Sequence, residues 1–279
     1  MRPNLNEKMW IASSYLILLF LCVIFTMPIF WLVLTSFKDR MTALAYPPKF
    51  LFNPTLDNYI EVLAPTRMPF TKMWVNSLII NSMALAISFA IGLPAAYAFS
   101  RLDFRGKSNL MFYVLSIRFA PAIGFLIPFY IIYRMFNLID THIGVTLIYQ
   151  TISLPLVIWL MYGYFIEVPK ELEEAAMVDG CSRLKVFFKI TLPLVRYGLA
   201  ATAILTLIFL WNELLFAFIL TGNNAKTAPV GVWSYRGYTQ IYWGQMAAAS
   251  TLTMLPVLVF GIIMQRQLVR GLVLGALKG

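Results

Sequence analysis

The stretch from Pro169 to Pro193, here called the polar segment, reads PKELEEAAMVDGCSRLKVFFKITLP. It lies between two apolar segments, each of which is long enough to cross a membrane. A strongly polar run between two such spans must lie in water, on one face of the membrane. Its content of Glu, Lys, Leu and Ala favours helix over an irregular loop. The question for function is therefore what this segment contacts.

Two short helices are predicted within the polar segment. Pro169 suits the first turn of a helix, residues from Leu172 to Val178 are good helix formers, and Gly180 suits the end of the helix. A second helix is predicted from about Ser182 to Ile190. The pattern alone leaves two alternatives open: an amphipathic hairpin that only connects two spans, or an element that docks another protein.

The composition places the chain among membrane proteins. It has 279 residues, of which 60% are hydrophobic and 12% are charged, whereas a soluble domain carries about 25% charged residues. The net charge of +10 could suggest nucleic-acid binding. The basic residues cluster at the ends of apolar segments, however, where they set the orientation in the membrane. The sequence therefore predicts an all-α, polytopic membrane protein that does not bind nucleic acid.

Six transmembrane helices are predicted in a single transmembrane domain that covers residues 1–279. An even number of spans puts both termini on one side, and Lys and Arg are denser on that side, so the positive-inside rule predicts cytoplasmic termini. The same rule places a loop at 167–195 and a tail at 268–279 in the cytoplasm. The predicted spans are 11–35, 73–99, 109–135, 143–166, 197–220 and 246–267.

The sequence contains none of the usual catalytic or cofactor signals. His142 is the one histidine, and no metal-ligand spacing surrounds it. Cys22 lies in the first span and Cys181 in the polar segment, so a disulfide between them is not expected. No P-loop motif is present, which indicates that this chain binds no ATP and no other cofactor.

The polar segment resembles the EAA loop of bacterial ABC importer permeases. The resemblance rests on E-A-A at Glu174 to Ala176, on Gly180 four residues later, and on I-x-L-P at Ile190 to Pro193. The sequences WNELLFAFILT at 211–221 and RGLVLGALKG at 270–279 are similar to the carbohydrate-importer branch, of which the maltose system is best known. The match covers essentially the whole chain. It implies a type I ABC importer permease fold in the bacterial inner membrane.

The resemblance also implies partners and a mechanism. The EAA loop would be a coupling helix that sits in a groove of an ATP-binding subunit and moves with it during alternating access. The implied partners are a sister permease in a heterodimer, two ATP-binding cassette subunits that hold ATP and Mg, an external solute-binding protein and a carbohydrate. The C-terminal residues 275–279 would reach the interface of the ATPase dimer. The implied coupling residues are Leu172, Glu174, Ala175, Ala176, Val178, Asp179 and Gly180.

Arg118 is the most unusual residue of the predicted spans. By helical rise it lies about 14 Å into the third span, close to the middle of the bilayer. Such a residue should face the bundle interior or a cavity. It either pairs with Glu213, a backbone carbonyl or the sister subunit, or it contacts the substrate. The other candidates for the substrate path are Asn81, Gln150, Trp211, Asn212 and Glu213, each of which could instead make interhelical contacts.

Two other classes of protein are weaker alternatives. A secondary transporter driven by an ion gradient would need intramembrane carboxylates, and Glu213 alone qualifies. It would also leave the EAA-like segment without a purpose. An intramembrane enzyme would need a catalytic constellation within the spans, which a lone histidine near a loop does not supply. The sequence therefore predicts a transport subunit that does no covalent chemistry.

Overall fold

The computed structural model describes residues 5–64, 69–237 and 239–276, and their side chains except at 5–9, 264 and 266–276. Within these ranges the chain is almost entirely helical and contains no β-strand, which confirms the predicted all-α class. One antiparallel bridge pairs Arg236 with Ile241. The α-helices are α1 (Leu5–Ser36), α2 (Arg40–Ala43), α3 (Asp57–Leu63), α4 (Phe70–Arg101), α5 (Lys107–Ser116), α6 (Ala122–Met135), α7 (His142–Glu167), α8 (Lys170–Val178), α9 (Arg183–Val186), α10 (Leu192–Leu194), α11 (Arg196–Trp211), α12 (Leu215–Leu220), α13 (Ala228–Ser234) and α14 (Trp243–Ala276).

Four of the described helices are long and apolar enough to cross a membrane: α1, α4, α7 and α14. Two further candidates are pairs of helices joined at a sharp bend. If each bent pair is one span, the described residues form up to six spans.

The third predicted span, 109–135, is not one straight helix. A short 3-10 turn, Ile117–Phe119, follows α5, and the chain bends by 95° before α6. Pro121 explains the bend, because proline has no backbone N–H and disfavours helical backbone in the residue before it. Ala120 is extended, as this rule requires. Arg118 therefore lies in the turn before the bend, and its expected depth along a straight helix no longer applies.

The fifth predicted span, 197–220, is also interrupted. α11 ends at Trp211 and α12 begins at Leu215. The side chain of Glu213 accepts hydrogen bonds from the backbone N–H groups of Phe216 (3.0 Å) and Ala217 (3.2 Å). It thereby satisfies donors of a new first turn, which starts a second helix instead of continuing the first. A second bend, of 78°, separates residues Arg183–Leu194 from α11.

The last helix is longer than the sixth predicted span, 246–267. α14 continues to Ala276 and so includes most of the segment that the sequence assigned to a tail. No proline follows Pro256, so no residue in that segment sterically forces the helix to end. The expected contact of residues 275–279 with the ATPase dimer falls largely on 277–279, which lie outside the described residues.

Contacts within the chain group its residues into two compact units. The first comprises Met1–Thr71 and Val232–Leu252. Within it, the buried amide of Asn58 donates to the carbonyls of Ser36 (2.9 Å) and Lys38 (2.7 Å). These bonds tie α3 to the end of α1.

The second unit comprises Lys72–Gly231 and Thr253–Gly279. It contains two clusters of buried side chains. One cluster joins α4, α6, α7, α11 and α12 around Tyr149 and Phe216. The other includes Phe165 of α7 and Phe187 of the polar segment, so this segment packs against the end of the helices in its own unit.

Candidate functional site

The polar segment is anchored by Glu173, a residue in the middle of α8. Both carboxylate oxygens accept hydrogen bonds at 2.9 Å from the guanidinium of Arg101, at the end of α4. The side chains of the pair are only 8% and 5% exposed. The Arg101 guanidinium also donates to the carbonyl of Val168, just before α8, at 2.9 Å. A two-pronged pair of this kind fixes both distance and angle, so α8 has a defined position relative to α4.

Two hydroxyl groups complete the surroundings of the Glu173 carboxylate. Tyr97 and Thr191 each donate to it at 2.9 Å. Thr191 ends a π-helical turn, Phe187–Thr191, whose Phe187 ring lies 4.9 Å from the ring of Tyr97. Glu173 thus joins three parts of the chain: the end of α4, the helix α8 and the π-turn. π-Turns occur frequently at functional sites.

The pKa of Glu173 is governed by two opposing effects. Burial raises the pKa, whereas the hydrogen bonds from Arg101, Thr191 and other donors lower it. The donors outweigh the burial, so the pKa of this carboxyl lies below its ordinary value. Glu173 is therefore ionised at neutral pH and contributes to stability as an anion.

The opposite face of α8 is exposed and carries most of the predicted coupling residues. Glu174 and Ala175 point away from the anchor, and so do Leu172 (48% exposed) and Val178 (87% exposed). Ala176 differs: it lies one turn after Glu173, on the buried face. Its small side chain permits close packing within this chain.

The exposed face continues into the second half of the polar segment. Asp179 and Gly180 are exposed, and Gly180 has a φ of +85°, which turns the chain out of α8. Beyond the turn, Leu184 and Phe188 are 72% and 61% exposed. These two side chains and those of Leu172 and Val178 are exposed apolar groups on the two halves of the polar segment, and the four are here called the hairpin surface.

Arg118 and Glu213 line the same cavity, here called the bend cavity, which has a volume of about 560 Å³. Its wall also includes Tyr113, Phe125 and Phe129. Arg118 donates to the carbonyl of Ile152 at 3.4 Å, and its guanidinium lies 4.6 Å from the centre of the Phe209 ring. Of the predicted partners within this chain, the described residues thus show the backbone carbonyl. Within the described residues, no ion pair joins Arg118 to Glu213.

The remaining substrate-path candidates separate into different environments. Asn81 and Trp211 line a second cavity of about 140 Å³. The Trp211 indole donates to the carbonyl of Thr253 at 2.9 Å, while Asn81 Oδ1 is buried without a hydrogen-bond partner among the described residues. Gln150 bridges helices instead: it accepts from Ser88 at 2.8 Å and donates to two carbonyls. Asn212 is exposed and bonds to its own helix at Ile208.

A loop at the predicted outer side is held by Asp140. Its carboxylate accepts from the backbone N–H groups of residues 222–225 at distances of 2.8–3.0 Å. Asn76 donates to the carbonyls of Asn224 (2.7 Å) and Lys226 (2.9 Å), and its own Oδ1 contacts His142 Nε2 at 2.8 Å. His142 therefore has a structural hydrogen bond at the start of α7. Burial raises the pKa of Asp140, but the four N–H donors outweigh it and lower the pKa overall.

Replacing Asp140 with asparagine is expected to release this loop. The variant loses the negative charge that accepts hydrogen bonds from the four N–H groups. This loss is expected to cost about 2 kcal/mol, which corresponds to roughly 30-fold faster amide exchange at 222–225. In the wild-type chain the stabilising contribution of the Asp140 carboxylate is complete above its pKa in the unfolded chain, about 3.9. It is lost as pH falls through the lower pKa that Asp140 has in the folded chain. Hydrogen–deuterium exchange by mass spectrometry measures the effect. Asp57→Asn, at an exposed aspartate, is the control, and equal exchange in both variants would contradict the assignment.

Sequence reasoning missed the anchor. Glu173 precedes the Glu of the E-A-A pattern, and Arg101 entered only as a charge that sets orientation. A signal was nevertheless present: Glu173 and Ala176 are three residues apart, so they share one helical face, whereas Glu174 lies on another. The partner of a buried Glu is not predictable from that spacing, because Arg101 is 72 residues away in sequence.

These features of the fold and the site define a class of protein. Apolar helices, sharply bent spans, a cavity between helices and an anchored helix with an exposed face indicate a membrane transport subunit. The comparisons agree. The family described as "Binding-protein-dependent transport system inner membrane component" matches residues 88–273. The chain belongs to this family, which confirms the resemblance found in the sequence.

Individual relatives give the same result. The trehalose/maltose transport system permease protein MalG of Thermococcus litoralis is 32% identical, with 100% of both chains covered. The trehalose transport system permease protein SugB of Mycobacterium tuberculosis is 37% identical, over 91% of this chain and 92% of its own. A bacterial ABC transporter that imports the acidic polysaccharide alginate shares the fold, with a TM-score of 0.76 and 20% identity, over 95% of this chain and 99% of that chain.

Family membership settles several predictions. The chain is an inner-membrane permease subunit of an ABC importer and not an enzyme, since the ATPase of such importers is a separate subunit. An ATPase partner and a binding protein follow in general terms from the family. The roles of individual residues do not follow from membership.

Proposed function

We propose that this chain forms one half of a translocation path for a carbohydrate and couples that path to ATP hydrolysis through α8. The observation that carries the proposal is the two-sided arrangement of α8. One side is fixed to the end of α4 through Glu173 and Arg101, and the other side is exposed. A partner that moves the exposed side will therefore also move the end of α4.

The hairpin surface is the proposed docking site for the ATP-binding subunit. Leu172 and Val178 would bury their apolar side chains in a groove of that subunit, and Glu174 would pair with one of its basic residues. Ala175 is small enough for close approach. Asp179 and Gly180 would shape the turn that fits the groove. Ala176 contributes indirectly, because it packs inside this chain beside Glu173.

The complete transporter would contain further subunits. A sister permease supplies the other half of the path, two ATP-binding subunits hold ATP and Mg, and a solute-binding protein delivers the substrate from outside. The carbohydrate assignment is supported by the relatives whose names specify trehalose, maltose or diacetylchitobiose. Alternating access moves the substrate between the two permeases. Arg118 of the bend cavity is the first candidate for contact with it.

The competing function, a secondary transporter driven by an ion gradient, has less support. It requires a carboxylate that can exchange ions or protons during transport. Glu213 was the one candidate from sequence, and both of its oxygens accept backbone hydrogen bonds at the start of α12. A carboxylate with this structural role is poorly placed for ion exchange.

Replacing Glu174 with glutamine tests the docking proposal. The loss of one charged partner at the interface is expected to cost about 2 kcal/mol, or roughly 30-fold in affinity for the ATP-binding subunit. The measurement is recovery of that subunit with the tagged permease, together with substrate-stimulated ATPase activity in proteoliposomes.

Asp103→Asn is the matched control for the Glu174 variant. Asp103 is a highly exposed acid in the turn after α4, and among the described residues it forms one ion pair, with Lys107 four residues later. Surface pairs of this kind contribute little, so the control should retain the ATPase subunit. Full recovery and coupling with Glu174→Gln, or equal losses in both variants, would argue against docking at α8. Activity of the chain alone, without any ATPase subunit, would favour the secondary transporter.

A further inference from the structure

The guanidinium group of Arg118 lines the bend cavity. Arginine carries five N–H donors, and for Arg118 the structure records one hydrogen bond, to the carbonyl of Ile152 at 3.4 Å. Its other close contact is the face of Phe209. Within the described residues, no carboxylate lies at ion-pair distance from Arg118. A cation in this position is costly unless something compensates its charge.

The acidic residue of the cavity wall does not supply that compensation. Glu213 lines the same cavity, but one oxygen accepts from the N–H of Phe216 and the other from the N–H of Ala217. The carboxyl group of Glu213 is therefore occupied by the backbone of the first turn of α12. Among the described residues, the wall therefore presents a carboxyl group whose two oxygens already accept hydrogen bonds and a guanidinium group that no carboxylate pairs. Such a wall favours a ligand that brings its own negative charge.

The rest of the wall suits a sugar ring. Tyr113, Phe125 and Phe129 provide aromatic surface, and Ser116 and Thr151 provide hydroxyl groups. The volume of about 560 Å³ lies within the range of small-molecule sites. Aromatic surface with a few fixed polar groups is the general form of such a site.

We infer that the bend cavity binds an acidic saccharide, with Arg118 pairing its carboxylate, sulfate or phosphate group. The inference rests on the proposed function, in which the chain forms part of a carbohydrate path, and it narrows the substrate class. Guanidinium matches the geometry of these oxyanions with two parallel hydrogen bonds. The aromatic side chains of the wall contact the ring of the sugar, and the guanidinium stays in contact with the Phe209 ring. A neutral sugar would leave the charge of Arg118 without a counter-ion.

The test uses three probes that differ in one substituent: cellobiose, cellobiouronic acid and cellobiose phosphorylated at the 6′ position. Each is radiolabelled and bound at equilibrium to the intact complex in nanodiscs, that is, this chain with its sister permease and ATPase subunits and without the binding protein. At least one acidic probe should bind about tenfold more tightly than cellobiose, the contribution of one charge-assisted pair. The two acidic arms distinguish a carboxylate from a phosphate ligand.

Variants assign the preference to one residue. Arg118→Gln should remove the preference for the acidic probe, and Arg118→Lys should retain part of it, because lysine keeps the charge but not the two-pronged geometry. Arg134→Gln is the matched control: Arg134 is an exposed arginine in the last turn of α6 and is not part of the cavity wall. This variant should keep the full preference.

The outcomes separate this inference from the proposed function. Equal or tighter binding of cellobiose, or a preference that survives Arg118→Gln, overturns the acidic-saccharide inference while leaving a carbohydrate importer in place. Binding of none of the three probes also overturns it. Failure of the ATPase subunits to associate with the permease during preparation of the complex would instead overturn the proposed function.

Discussion

Replacing Glu173 with glutamine is expected to release α8 from the end of α4. The variant leaves the Arg101 guanidinium buried without its counter-ion, and breaking a buried pair in this way costs about 3–5 kcal/mol. That energy corresponds to a change of roughly 100- to 4000-fold in the equilibrium between the anchored and released helix. Amide exchange in α8 measures the release, and transport in proteoliposomes should fall with it, because movement of the ATPase would no longer reach α4.

Two comparisons show whether the ion pair itself is responsible. Glu171→Gln changes an exposed acid in the first turn of the same helix and should leave amide exchange in α8 unchanged. Replacing Glu173 and Arg101 together with methionine removes both charges, and paired removal is often close to neutral. This double variant should recover much of the protection that Glu173→Gln loses. If it is no better than the single variant, the pair does not hold the helix.

The same anchor predicts a specific response to pH. The pKa of Glu173 is lowered in the folded chain, so its stabilising effect is complete above the unfolded value of about 4.3. The effect is lost as pH falls through the lower folded value. Protection of α8 should therefore be constant from neutral pH down to that range and then decline. The Glu173→Gln variant should lack this acid-side decline, because it has no carboxyl to protonate.

Replacing Gly180 with alanine is expected to uncouple ATP hydrolysis from transport. Gly180 has a φ of +85°, and an added Cβ would meet no atom within 4 Å. The cost is therefore conformational, about 1–2 kcal/mol for an L-residue in this region. This cost shifts the conformational equilibrium of the turn between α8 and α9 toward other conformations by a factor of roughly 5 to 30. The measurement is the number of substrate molecules transported per ATP hydrolysed.

The chain provides a matched control for the Gly180 variant. Gly106, in the turn between α4 and α5, has nearly the same φ, +86°, and equally open surroundings. Gly106→Ala carries the same strain outside the polar segment and should leave the transport ratio intact. Gly180→Asn should be milder than Gly180→Ala, since asparagine tolerates positive φ better. Normal coupling in Gly180→Ala, or equal uncoupling in Gly106→Ala, would show that the turn is not part of the coupling path.

The structure changes how the polar segment is interpreted, through two adjacent glutamates. The sequence pattern selected Glu174 and its neighbours as coupling residues, and Glu174 does lie on the exposed face. The same pattern gave no role to Glu173, which the structure places at the centre of four hydrogen bonds. The pattern assigned the same coupling role to Ala175 and Ala176, whereas in the structure the Ala175 side chain is exposed and that of Ala176 is buried. Whether a side chain of α8 is buried or exposed depends on how the helix packs in the fold. The sequence pattern does not contain that information.

For the candidate residues of the translocation path, too, the sequence identified the residues but not their surroundings. Arg118 was identifiable in the sequence because a charge within an apolar segment is rare. Its surroundings were not, because they depend on the bend at Pro121 and on the side chain of Glu213. Gln150, equally polar in the sequence, bonds to Ser88 and two carbonyls instead of lining the bend cavity. Polarity in a span indicates a buried partner, but it does not say whether that partner is protein or substrate.

The sequence by itself determined the membrane class, the helical fold, the family and the position of the polar segment. These properties depend on hydropathy over about 20 neighbouring residues and on short local motifs. The tertiary structure decided which face of α8 is anchored and which polar residues share a cavity. These properties depend on contacts between residues distant in sequence, such as Arg101 and Glu173. No local pattern encodes the partner of a buried charge, because the fold brings that partner from elsewhere in the chain.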